Sequence, residues 1–95
     1  MTKAEILVPL KIDLQLTTTA YDDYLGRLVD AAILYIQTEG IELTDTTADL
    51  MLVEMYAAYL FRHRRENMPM PRMLRWTLNN RLFSQKVNGG DDNAM

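Results

Sequence analysis

The sequence predicts an all-α fold: a small four-helix, bundle-like domain built around a central hydrophobic helix, with a flexible carboxyl-terminal tail. Three observations lead there. The stretch Asp45 to Arg65, DTTADLMLVEMYAAYLFRHRR, is apolar nearly all round, and between Leu50 and Phe61 only Glu54 is charged, so as a helix it must be wrapped by other elements. The segments on either side of it repeat apolar residues at three- and four-residue steps. The chain has no cysteine, so neither a disulfide framework nor a thiolate metal site can hold it together, and the fold rests on packing or association. With 95 residues and 48% hydrophobic content there is material for one core, which places a single domain over residues 1–86 and the tail over 87–95.

The first helix is expected between Thr2 and Leu16. Thr2 with Glu5 three residues on has the spacing of a capping box, while Pro9 either delays the start to near Val8 or kinks the helix. Ile6, Leu7, Leu10, Ile12 and Leu14 supply its packing face. This amino-terminal stretch is interrupted by Lys11 and Asp13 and has no small-residue cleavage site, so it does not read as an export signal.

The second helix takes its caps from Thr17, Thr18 or Thr19 and its first-turn charge from Asp22 and Asp23. Tyr21, Leu25, Leu28, Val29, Ala32, Tyr35 and Ile36 form one apolar face, and Gly40 fits the left-handed residue that ends such a helix. The central helix is capped by Asp45, Thr46 or Thr47, with Asp49 placing negative charge in its first turn. It stops where Arg62, His63, Arg64 and Arg65 complement the dipole and Pro69 and Pro71 forbid continuation. Its uninterrupted apolar part is shorter than the roughly 18 residues of a membrane span and holds Glu54, so no membrane role is expected. Pro71 opens a fourth helix, with Leu74, Leu78 and Leu82 on one side, Arg72, Arg75, Asn79 and Lys86 on another, and Trp76 and Phe83 beside the basic edge.

Little in the chain suggests chemistry. His63 is the single histidine and stands among arginines at a helix end, the glycines form no phosphate loop, and the pairs Asp22–Asp23 and Asp91–Asp92 diverge or sit in the tail. No catalytic residue, metal or cofactor is expected, and the chain does not read as an enzyme. Glu54 is the exception to a dry central helix, and burying it calls for Arg27, Arg81 or a neighbouring subunit as partner, or for a wet gap between helices.

Charge is more informative than chemistry. Residues 1–61 carry three basic side chains against ten acidic ones, residues 62–86 carry seven basic against Glu66 alone, and the whole chain has net charge −3. Such polarity suits a molecule that presents its basic side to the acidic side of the next copy or to an acidic partner, although solvated helix faces would give the same pattern. The arginines interleaved with Trp76 and Phe83, on two helices around a turn, also admit a small DNA-binding protein. Against that stand the overall acidity and a turn with two prolines and no glycine.

The order of a short first helix, an amphipathic second, YIQTEGI (Tyr35–Ile41), MYAAYLFRHR (Met55–Arg64) and MPRMLRWTLNNRLFSQK (Met70–Lys86) resembles the head-tail connector, or adaptor, proteins of tailed phages over nearly the whole chain. The resemblance implies a helical subunit of a virion, assembled in the host cytoplasm into a ring, commonly of twelve. The ring docks on the portal protein after DNA packaging and receives the next neck or tail component. DNA would pass through the lumen without sequence-specific binding, and an acidic lining would let it slide. Under that reading Arg62, Arg64, Arg65, Arg72, Arg75, Trp76, Arg81 and Lys86 are the candidate contacts with neighbouring copies or the portal, with Arg72 and Arg75 foremost. A head-to-tail ring needs two different matching surfaces on each subunit, and the acidic front and basic back of the chain supply such a pair.

Overall fold

A computed structural model describes the backbone of residues 1–94 and the side chains of residues 1–88. The chain is all-helical: four helices, α1 (Lys3–Asp13), α2 (Asp22–Thr38), α3 (Thr47–Glu66) and α4 (Arg72–Ala94), and no strand among the described residues. The tail expected over 87–95 falls mostly outside the described side chains; Val87 and Asn88 are exposed residues of α4.

The capping box at α1 is complete, with the Glu5 amide donating to Thr2 Oγ1 (3.3 Å) and the Thr2 amide donating to Glu5 Oε1 (3.1 Å). The helix therefore begins at Lys3, not near Val8, and runs through Pro9. Pro9 faces solvent, where water can satisfy the carbonyl whose partner amide it lacks, and Ile6 and Leu10 anchor the helix on both sides of it. Ile12, expected on the packing face, is 73% exposed, because Ile6, Leu10 and Leu14 already define a narrow stripe.

The three threonines before α2 do not cap it. Tyr21 occupies the cap position without a side-chain hydrogen bond, and Thr18 Oγ1 accepts from the Ala20 amide in the preceding turn. Leu25, Val29, Ala32 and Ile36 are fully buried on one face, whereas Tyr21 and Tyr35 lie at its exposed margins. Gly40 ends the helix region at φ +98°, and a side chain there would be strained by that backbone angle.

The central helix is the best-read element. Thr46 Oγ1 accepts from the Asp49 amide, and Asn67 closes the far end in the left-handed conformation, its amide donating to the His63 carbonyl. Leu52, Val53, Tyr56, Ala57, Ala58 and Phe61 are buried against α1, α2 and α4. Pro71 stands just before α4 and accepts from the Arg75 amide. Leu74 and Leu78 are buried and Leu82 partly so; α4 runs antiparallel to α3, with Arg81 meeting Asp49 and Leu74 lying beside Ala58. Each such leucine contributes roughly 1.5–3 kcal/mol through burial.

Candidate functional site

Among the basic residues 62–86, an inner set is bound to the acidic half of the same chain. Arg81 projects from the Leu74–Leu78 face of α4 and grips Asp49 with two bonds, Nε to Oδ1 at 2.7 Å and Nη2 to Oδ2 at 3.1 Å. It also donates to the Glu42 carbonyl at 2.6 Å and to Gln85 Oε1 at 3.3 Å. Asp49 is 1% exposed and further accepts from the Thr44 amide (2.8 Å) and hydroxyl (2.9 Å). Burial pushes its carboxyl up, but the hydrogen bonds from Arg81 and Thr44 outweigh this and hold it below the ordinary carboxylate range. Gln85 completes the clasp by donating to the Gly40 carbonyl and accepting from the Glu42 amide. The connection between α2 and α3 is thus strapped onto α4 by two α4 side chains.

Arg75 is committed in a similar way at the surface, with two bonds to Glu39 at 2.7 and 3.1 Å. Arg62 pairs with Asp13 at 3.5 Å. Arg72 and Lys86 are exposed on α4 and have no ion pair among the described residues.

Arg64 and Arg65 form the outer set. The Arg64 guanidinium lies 5.2 Å from the centre of the Tyr24 ring and donates to its hydroxyl at 3.2 Å, and that of Arg65 lies 5.6 Å from the Phe61 ring. Tyr21 packs edge-on against Phe61 at 6.2 Å. These five residues line an open cleft of about 560 Å³ at the carboxyl end of α3. Neither arginine has a carboxylate within ion-pair distance among the described residues.

The outer side of α4 is apolar. Met73, Trp76 and Phe83 are 63–67% exposed and Val87 41%. With Asn80 between them they recur at steps of three and four residues, diametrically away from Leu74, Leu78 and Leu82. Trp76 thus stands on an uncovered stripe that the sequence pattern placed only beside the basic edge.

Glu54 is half-buried and takes neither Arg27 nor Arg81 as partner. Burial, and then the nearby Asp13, push its carboxyl up, while Arg62 pulls it down. The carboxylate that matters is Asp49, read from sequence only as a first-turn charge. A signal was available: Asp49 precedes Leu52, Val53 and Tyr56 at helical spacing, and Arg81 follows Leu74 and Leu78 likewise, so opposite charges sit on two apolar stripes.

His63 does more than complement a dipole. Its Nδ1 donates to the Met68 carbonyl at 2.6 Å and its ring packs on Tyr59, which ties the α3–α4 connection to α3. Among the described residues no group of three or more His, Cys, Asp or Glu is arranged to hold a metal ion, and no helix is long and apolar enough to cross a membrane. No protein-family model matches the chain, and neither does any curated protein or any solved structure.

Proposed function

We propose that this chain is a structural adaptor of the head-tail connector kind, a virion subunit that assembles as a ring on a portal protein and joins the head to the neck or tail. One observation carries the reading: α4 is buried along Leu74 and Leu78 yet displays Met73, Trp76 and Phe83 to solvent on its opposite side. A tryptophan and a phenylalanine on one rigid helix are the residue types that dominate protein interfaces. The resemblance of MYAAYLFRHR and MPRMLRWTLNNRLFSQK to connector proteins supports the same reading from the sequence side.

The DNA-binding alternative is weakened by the use to which the arginines are put. Arg62, Arg75 and Arg81 answer carboxylates of their own chain, which leaves Arg64, Arg65, Arg72 and Lys86 for phosphates. Arg75 is likewise a poor test residue, because its reversal breaks the bond to Glu39. Arg72 and Trp76 are the better pair.

The experiment is native mass measurement of the chain mixed with a tailed-phage portal protein. The adaptor reading predicts a complex with one ring of this chain per portal. It also predicts that Arg72→Glu with Trp76→Ser weakens the complex at least tenfold without loss of helical content. Tight binding to duplex DNA with a steep salt dependence and no portal complex would replace it by the DNA-binding reading.

A further inference from the structure

The Arg64–Arg65 cleft presents two guanidinium groups that have no ion pair among the described residues. A guanidinium over an aromatic ring keeps its full charge and, apart from the one N–H that Arg64 gives to the Tyr24 hydroxyl, its N–H donors, and the ring limits its freedom, so less is lost when a carboxylate binds. Arg64 and Arg65 are both held in this way, on Tyr24 and Phe61, with Tyr21 walling the cleft.

The chain itself carries a matching anion. Beyond Glu66 its only acidic residues are Asp91 and Asp92, an adjacent pair like the adjacent arginines. They follow Gln85, the last described α4 side chain that bonds to the body, by six residues. Arg81 meets Asp49 near the start of α3, whereas the cleft lies 15 residues on, about 22 Å along α3, and α4 runs from Arg81 to Asn88 about a further 10 Å in the opposite direction. The three residues from Asn88 to Asp91 reach at most about 10 Å, so the chain cannot deliver this pair to its own cleft, but a second copy can.

We propose that the Tyr21–Tyr24–Phe61–Arg64–Arg65 cleft seats the Asp91–Asp92 segment of a neighbouring copy, giving a head-to-tail contact. The contact rests on the ring reading above and names one interface within it. Two different surfaces meet, so the contact repeats from copy to copy and closes into a ring when the rotation allows. Carboxylates on guanidinium groups give a bidentate, charge-assisted bond that weakens with salt.

The test is sedimentation of the full chain at low ionic strength in four forms: natural, Arg64→Glu/Arg65→Glu, Asp91→Lys/Asp92→Lys, and all four substitutions together. The natural chain should associate, and each double variant alone should associate at least tenfold more weakly. The fourfold variant should associate again, and so should an equimolar mixture of the two double variants, because each cleft then meets a segment of opposite charge. A natural chain that stays monomeric to the highest attainable concentration overturns the contact. So does a double variant that associates normally, or a mixture that stays monomeric. If Arg64→Glu/Arg65→Glu instead abolishes binding of a duplex oligonucleotide and leaves association intact, the cleft is a phosphate site and the proposal is wrong. Association that depends on Trp76 and ignores the charge pair overturns this contact and leaves the ring reading standing. Association that follows the charge pair without any portal complex keeps this contact and removes the adaptor reading.

Discussion

Arg81 and Arg64 both belong to the basic stretch 62–86, and they do opposite things. Arg81 lies under the α2–α3 connection with its side chain 22% exposed and bonds to Asp49, Glu42 and Gln85. Arg64 lies on a tyrosine ring in the open, with no carboxylate within ion-pair distance among the described residues. The difference teaches where each charge belongs. A buried ion pair is costly unless every polar atom is answered, and once it is answered, removing one partner strands the other. An exposed arginine on a ring contributes little to folding and remains available to something outside the chain.

Breaking the inner pair should have the largest effect. Asp49→Asn leaves Arg81 partly buried beside a neutral amide and should cost about 2–4 kcal/mol in urea unfolding. A loss below about 1 kcal/mol would mean that Asp49 is wetter than its burial implies. The pH dependence should follow the same residue. Its folded-state pKa is lowered, so its contribution is complete above the unfolded value, about 3.9, and is lost as pH falls through the folded value. The Asn variant should show a flatter stability curve in that acid window.

Arg75→Ala removes a pair whose arginine side chain is 45% exposed, and about 0.5–1 kcal/mol is expected from a thermal melt. Arg64→Ala and Arg65→Ala should each shift stability by no more than about 0.5–1 kcal/mol, the range of an exposed cation–π contact. Glu54→Gln should be neutral or slightly stabilising at neutral pH. The carboxyl is pushed up by burial and by Asp13, so its ionised form is disfavoured in the fold, and removing the charge relieves that. A clear drop in Tm for this variant would point to a favourable contact for the ionised carboxylate.

The same contrast explains what the sequence made legible. Helix existence, the capping box at Thr2 and Glu5, the Thr46 cap, the Gly40 exit and the Leu74–Leu78–Leu82 face follow from neighbours within a few residues, and all can be read along the chain. Asp49 and Arg81 are 32 residues apart and Glu39 and Arg75 36 apart, so local pattern ties neither pair. Glu54 interrupts an apolar run and so stands out in the sequence, whereas Asp49 is an ordinary first-turn charge there; its burial depends on what α4 brings over it. Along the chain Pro9 signals a delayed start or a kink because its local penalty is plain, while Ile6 and Leu10, which hold the helix across it, act through tertiary contact.

The most direct measurement compares stability and association in one variant, Arg64→Glu/Arg65→Glu, by urea unfolding and by sedimentation in the same low-salt buffer. The account predicts an unfolding midpoint close to that of the natural chain together with loss of self-association. A chain that unfolds much more easily, or that associates as before, would contradict the division between an inner arginine that holds the fold and outer ones that meet a neighbour.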